Sequence, residues 1–315
     1  VHALRFSCYT RGMKILNIGS LNVDHTYAVD AFLKPGETKS SLGLHVFCGG
    51  KGLNQSIAAA KAGCEVYHAG FFGEGSEMLR DALVESGVDV SLMETSPVTC
   101  GHTIIEVDHN GQNCILLYGG SNKALTTAYI DSAVSHFGPD DVLLLQNEVN
   151  LVGYAMEAAH KRGMRIAFNA APMDEEVKGY PLDLVDWLFV NEVEGAALSG
   201  KQSFPDILAE LRRKYPRTTI VLTLGKQGLL YQDGDGVIQM GTYLDAPVVD
   251  TTAAGDTFIG FFLAGVAKKE PVKDCLSFAT AASSVCIGRP GASPSIPYAR
   301  EVEQALSNGS LGRIR

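Results

Sequence analysis

The segment Asp250-Thr251-Thr252-Ala253-Ala254-Gly255-Asp256-Thr257-Phe258 brings together residue types that suit chemistry on an anion. The pattern predicts a strand over Ala246-Pro247-Val248-Val249 before it and an apolar helix from about Gly255 to Lys268 after it. Small residues at such a junction leave backbone N–H groups uncovered at a helix N-terminus, where the helix dipole favours negative charge. Asp256 stands at that same spot. A carboxylate beside an anion site is explained if it takes the proton from a hydroxyl that attacks a phosphate.

Other residues could do chemistry, each with a plainer reading beside it. Gly49-Gly50-Lys51-Gly52-Leu53-Asn54-Gln55 leads into a helix, but Gly52 follows Lys51 and His45 stands five before Gly50, so it is not a Walker A loop. Gly19-Ser20-Leu21-Asn22-Val23-Asp24 lacks the G-x-G-x-x-G of dinucleotide folds. Gly-Gly still admits a ligand close to the backbone, with Lys51 and Asn54 as donors, or it is a simple loop-to-helix turn. Asn22 and Asp24 alternate at strand spacing and can face one side to grip sugar hydroxyls; a turn or capping pair is the alternative. Glu148 is a carboxylate beyond an apolar strand. Asn191-Glu192-Val193-Glu194 offers oxygen ligands suited to Mg²⁺, or an Asn N-cap with acids in the first turn. The glycines of Thr223-Leu224-Gly225-Lys226-Gln227-Gly228 could admit a nucleotide or make a tight turn into Leu229-Leu230-Tyr231. The eight histidines show no metal-binding spacing, and Phe258, Phe261 and Phe262 read as core.

These residues need a scaffold that presents them at one edge. Short apolar runs at Ile15–Gly19, Val66–Gly70, Val142–Leu145, Arg165–Phe168, Trp187–Val190 and Thr219–Thr223 alternate with helical stretches at Lys51–Ala62, Met78–Ser86, Leu151–Arg162 and Phe204–Lys214. Gly63, Gly87 and Gly163 stand where helices would end. The alternation predicts a doubly wound α/β fold, with a mostly parallel central sheet flanked by helices. Thr26 to Cys48, containing Pro35-Gly36, and Cys100 to Tyr118, with an Asn110-Gly111 turn, break the rhythm. They read as surface hairpins or as a small β-sheet lid over the carboxyl ends of the core strands.

The net charge of −9, with no basic run longer than Arg212-Arg213-Lys214, argues against nucleic-acid or membrane-surface binding. No apolar stretch reaches the ~18 residues of a membrane span. Seven scattered cysteines without a C-x-x-C pair fit reduced thiols in a cytosolic protein better than zinc or a disulfide framework. Residues 1–12 lack the apolar run of a signal peptide and read as an upstream or cloning-derived leader before Met13-Lys14-Ile15-Leu16.

Taken in order, the motifs resemble the ribokinase-like (PfkB-type) carbohydrate kinases from about Met13 to about Glu303. The Gly50–Gln55, Asn191–Glu194 and Asp250–Asp256 stretches carry most of the likeness. Asn22-Val23-Asp24, Pro35-Gly36-Glu37-Thr38 and Gly291-Ala292-Ser293-Pro294-Ser295-Ile296-Pro297 bring the chain nearest the ribokinases within that family. The resemblance implies one kinase domain over 13–315, with lid insertions at about 24–48 and 98–121. It implies Asp256 as general base, with the N–H groups of Ala253, Ala254, Gly255 and Asp256 as an anion hole. It implies sugar contacts from Asn22, Asp24, Gly50, Lys51, Gly52, Asn54, Glu148 and Asp256. ATP contacts would come from Asn191, Thr223, Gly225, Gly228, Gly255 and Thr280, and Glu194 would organise Mg²⁺ through water. A monovalent cation, K⁺, would take the Asp250 and Ser295 side chains and carbonyls of Thr252, Cys286, Arg289 and Gly291, in a loop where Pro290 fixes φ. The implied activity is ATP-dependent phosphorylation of a sugar's primary hydroxyl, ribose to ribose 5-phosphate, in a cytoplasmic homodimer paired through its lid strands. The alternatives are another pentose, a hexose or a nucleoside as acceptor, and a catalytically silent sugar-binding regulator.

Overall fold

Strands buried on both faces read as continuous apolar runs, and those runs form the parallel centre of the main sheet. The computed structural model describes residues 12–243, 247–312 and 314. It opens with β1 (Lys14–Ile18), β2 (Asn22–Ala28) and β3 (Gly43–Gly49), then α1 (Lys51–Lys61), β4 (Glu65–Ala69), the short β5 (Phe71–Gly73), α2 (Glu77–Glu85) and β6 (Glu94–Ser96). Next come β7 (Gly101–Val107), β8 (Asn113–Tyr118), α3 (Thr127–Ser135), β9 (Val142–Gln146), α4 (Val152–Lys161) and β10 (Arg165–Asn169). β11 (Trp187–Asn191), α5 (Glu192–Ser199), α6 (Phe204–Lys214), β12 (Thr219–Thr223), β13 (Leu229–Gln232) and β14 (Val237–Met240) follow. The last elements are α7 (Ala254–Ala267), α8 (Val272–Cys286) and α9 (Ala299–Ser307).

Among the described residues the main sheet has the order β14-β13-β12-β11-β10-β9-β1-β4. It is parallel from β4 to β12, and the β13–β14 edge is antiparallel. Ile15, Val142, Leu144 and Ala167 pack on the face covered by α1, α7 and α8. Leu16, Ile18, Leu143, Leu145, Ile166 and Phe168 pack on the face covered by α3, α4 and α6. The strand order reverses between β1 and β9, and ligands bind outside the carboxyl ends of the strands at such a point. Ser20 and Glu148 lie just past those two strands.

β3, β2, β7 and β8 form a separate sheet in that order, so the two predicted insertions join in one layer. Its register places Asp24 beside Phe47 and Thr103, and Thr103 beside Leu117, on one face. The β7–β8 connection turns as expected: Gly111 takes φ 75°, and Asp108 accepts from the N–H groups of Asn110 and Gln112.

α7 is buried from Asp256 to Ala264, which accounts for its nearly all-round apolar sequence. Gly260 lets it lie against α1: a Cβ there would stand 2.5 Å from both Ala58 Cβ and Ala59 N. Asp256 is one turn before Gly260, and Asn54-Gln55 one turn before Ala58-Ala59. The two helices therefore run parallel, with both N-termini at the same end.

One predicted strand is corrected. Pro247 to Val249 form no strand, and Ala246 lies outside the described residues. Val248 and Val249 are exposed, and the N–H groups of Val249 and Asp250 donate to Ile287 O at the end of α8. The β-branched pair looked like a strand, but it docks on a helix end. Of the predicted leader, only Gly12 lies within the described residues.

Candidate active site

α1 and α7 aim their N-termini into a cavity of about 1020 Å³ between the main sheet's carboxyl edge and the inner face of the small sheet. Ala253, with φ 60°, turns the chain into α7. Ala254 N donates to Thr251 O at 3.3 Å, while Ala253, Ala254, Gly255 and Asp256 all line the cavity. Asp256 is buried and held from the α1 side. Its Oδ2 accepts from Asn54 Nδ2 at 3.1 Å and its Oδ1 from Gln55 Nε2 at 2.8 Å.

The start of α1 gathers the next group. Glu148 Oε2 accepts from Ser20 Oγ and from Lys51 N at 2.9 Å, tying the ends of β1 and β9 to the helix start. Burial alone would lower the Lys51 ammonium, but the carboxylates of Asp256, Glu148 and Glu194 outweigh it and hold it above its ordinary value. Lys51 is therefore a half-buried cation beside the predicted anion site. Gly50, Lys51 and Asn54 line the cavity. Gly52 does not; it packs on β1's exit, where a Cβ would stand 2.2 Å from Ser20 N.

Asn22 and Asp24 face the cavity from β2, as their alternation predicts. Asn122, which sequence reasoning missed, donates to Asn22 Oδ1 at 2.7 Å and fixes its amide. Burial pushes the Asp24 carboxyl up to about 6, against the Thr103 hydroxyl that donates to it at 2.6 Å and with a contribution from Glu148. A Cβ on Gly49 would lie 1.8 Å from Asp24 Oδ2, so this carboxylate rests on bare backbone.

Across the cavity, Asn191 caps α5 with its Oδ1 on the N–H groups of Val193 and Glu194, and Glu194 returns both oxygens to Asn191. The capping reading is thus realised. Burial raises the Glu194 carboxyl above its ordinary value, against the Asn191 N–H and the Lys51 charge. Each Glu194 oxygen keeps a lone-pair site that can receive a water of hydrated Mg²⁺. Asn191, Thr223 and Gly225 line the cavity, but Gly228 and Thr280 do not. Gly228 abuts Met240 O, and the Thr280 hydroxyl donates to Leu276 O at 2.8 Å.

The predicted cation residues also converge. Asp250 accepts from Thr252 N at 2.8 Å and from Gly291 N at 3.0 Å, clasping two loops together. Cys286 Sγ lies 3.8 Å from Thr252 O and 3.1 Å from Ser295 Oγ, while the Arg289 side chain turns away to Glu301 at 2.7 Å. No group of three His, Cys, Asp or Glu side chains able to hold a metal occurs among the described residues.

Known proteins are similar to this chain over nearly its whole length. The pfkB family of carbohydrate kinases matches residues 13–299. The ribokinase of Haemophilus influenzae is 31% identical over 305 residues, 92% of this chain and 97% of its own. That of Schizosaccharomyces pombe is 33% identical over 317 residues, 94% and 98% of the two chains. The structure of Arabidopsis thaliana ribokinase complexed with ribose and ATP superposes with a TM-score of 0.82 at 28% identity, covering 94% of this chain and 99% of that one. The family match over residues 13–299 and relatives more than 30% identical over most of their length show that the chain belongs to the pfkB family of carbohydrate kinases.

Proposed function

We propose that this chain transfers the γ-phosphoryl group of ATP to the primary hydroxyl of ribose, giving ribose 5-phosphate and ADP. As a pfkB carbohydrate kinase it is a phosphotransferase with an alcohol acceptor. The observation that carries the proposal is the meeting of Asp256, at the N-terminus of α7, with Asn54 and Lys51, at the N-terminus of α1, in one cavity that Asn22 and Asp24 also line. Asn22, Asp24, Gly50, Lys51, Asn54 and Glu148 are the sugar side, and Asn191, Thr223 and Gly225 the nucleotide side. Asp256 takes the hydroxyl proton as that oxygen attacks the γ-phosphorus, and the bond to the ADP oxygen breaks. The N–H groups at the start of α7 and the Lys51 ammonium stabilise charge on the transferring oxygens.

Mg²⁺, when bound near Glu194 through water, would neutralise phosphate charge. K⁺ held by Asp250, Ser295 and the carbonyls of Thr252, Cys286, Arg289 and Gly291 would add fixed positive charge behind the anion hole. The domain spans 13–315, with the lid at 24–48 and 98–121 excluding water from the bound sugar. The lid's outer face bears exposed Leu44, Val46, Ile104, Leu116 and Tyr118, an apolar surface suited to a second copy of the chain in a homodimer. No helix among the described residues is long and apolar enough to cross a membrane. The described cysteines are free, which fits a reducing cytoplasm.

The test measures ATP turnover with ribose, 2-deoxyribose, other pentoses, hexoses and nucleosides. Ribose should give the highest kcat/KM, and a better rate with any other acceptor would reassign the substrate. Asp256→Asn should lower kcat at least ~10³-fold while ATP still binds. Retained turnover would remove Asp256 as the base.

A further inference from the structure

We infer that Gln55 is a positioning residue for Asp256, and that a buried chain of amides through Gln146 and Asn17 fixes the direction in which it donates. Gln55 follows Asn54 at the start of α1, and the two give one N–H bond to each oxygen of the carboxylate. Both donors reach Asp256 from α1, which leaves the cavity-side lone pairs for a hydroxyl. The inference rests on Asp256 acting as the base.

Gln55 helps only if its N–H, and not its oxygen, faces the carboxylate. Its Oε1 accepts from Gln146 Nε2 at 2.7 Å, so the amide cannot turn over without losing both bonds. The same Gln146 nitrogen donates to Asn17 Oδ1 at 3.1 Å. Asn17 Nδ2 donates to Gly52 O and Ser56 Oγ, each at 2.8 Å. Ser56 therefore has its one proton free for His68 Nδ1, also at 2.8 Å. Burial holds His68 neutral, down to about 4. Because the Gly52 carbonyl can only accept, Asn17 Nδ2 must face it, and each hydrogen bond from Asn17 through Gln146 and Gln55 to Asp256 then has one direction.

The chain is costly where it lies. Asn17, Gln55, Ser56 and His68 are 0% exposed and Gln146 is 1%. Asn17 and Gln146 interrupt otherwise apolar strands on the face covered by α1 and α7. Buried polar groups stabilise little against an apolar core of equal shape, but a linked network rigidifies its members. Here the rigid end is the carboxylate that must meet a hydroxyl at near-attack geometry.

The experiment compares Gln55→Met, Gln146→Met, their double variant and Asp256→Asn in steady-state kinetics with ribose and ATP. Methionine approximates glutamine's volume and removes the N–H. Gln55→Met should lose ~10–100-fold in kcat, the worth of one hydrogen bond to a charged group, with both KM values within about threefold. Gln146→Met should lose less, and the double variant should match Gln55→Met alone because Gln146 acts through Gln55. A Gln55→Met kcat within twofold of the parent, or a rise in KM with kcat unmoved, overturns the inference while Asp256→Asn remains inactive. Independent, additive losses in the double variant overturn the chain. If Gln55→Met does not fold, Gln146→Met decides: a kcat loss at unmoved KM supports the chain and no loss overturns it. Turnover by Asp256→Asn is a separate failure, that of the base assignment.

Discussion

Thr103 Oγ1 donates a 2.6 Å hydrogen bond to Asp24 Oδ1, joining β2 and β7 at a carboxylate that lines the cavity. The bond favours the ionised form, yet burial wins and the carboxyl sits at about 6. Asp24 is therefore a group whose charge the fold opposes and whose acceptor capacity the proposed sugar contact would use.

A carboxyl whose folded value, about 6, lies above its unfolded 3.8 contributes stability that is fully present at low pH and lost as pH rises through 6. Asp24→Asn, which cannot ionise, should melt like the parent at pH 4 and a few degrees higher at pH 8. The same substitution should weaken ribose binding. In the parent, KM for ribose should climb as pH falls below about 6, where Asp24 gains a proton. Melting curves and sugar saturation curves across that range check both signs, and a pH-independent melting difference would refute the first.

Gly260→Ala should part α1 from α7, since its Cβ would meet Ala58 and Ala59 at 2.5 Å. The expected cost is ~1–3 kcal/mol of stability from overpacking, read by denaturant unfolding. Because Asp256 sits one turn away, kcat should fall with it. A destabilised variant with full kcat would show that the site tolerates the shift.

Asp250→Ala should release the clasp between Thr252 N and Gly291 N. Parent activity should be several-fold higher in K⁺ than in an equal concentration of tetramethylammonium. The variant should be slower in both and show little difference between them. A parent indifferent to K⁺ would remove the cation from the account.

Leu116→Arg, at 67% exposure on the lid's outer face, should shift the protein from dimer to monomer in light scattering while thermal stability stays near the parent's. An unchanged mass would place any dimer contact elsewhere.

Much of this arrangement is legible in the residues. The parallel strands announce themselves because burial on both faces demands unbroken apolar runs, and the Asn110-Gly111 turn and the glycine helix ends carry backbone requirements that few residues meet. Asn22 and Asp24 are readable as a pair because strand periodicity puts them on one face. Val248 and Val249 mislead because β-branching signals a strand without naming a partner, and here the partner is Ile287 O. Gln55, Gln146, Asn17 and Asn122 escape because their meaning lies in contacts up to 201 residues apart. A signal lies in Asn17, a polar side chain inside the otherwise apolar run from Ile15 to Ile18.

The contact of Gly260 on Ala58 and Ala59 divides the molecule by how freely it can change. It makes Asp256 and the start of α1 parts of a single block whose internal spacing is held by that contact. The small sheet, carrying Asp24, Phe47, Thr103 and Leu117, meets that block through the single residue Gly50 between β3 and α1. On the proposed function, substitutions on the inner face of the small sheet would change the accepted sugar, while the block would keep the phosphoryl chemistry constant.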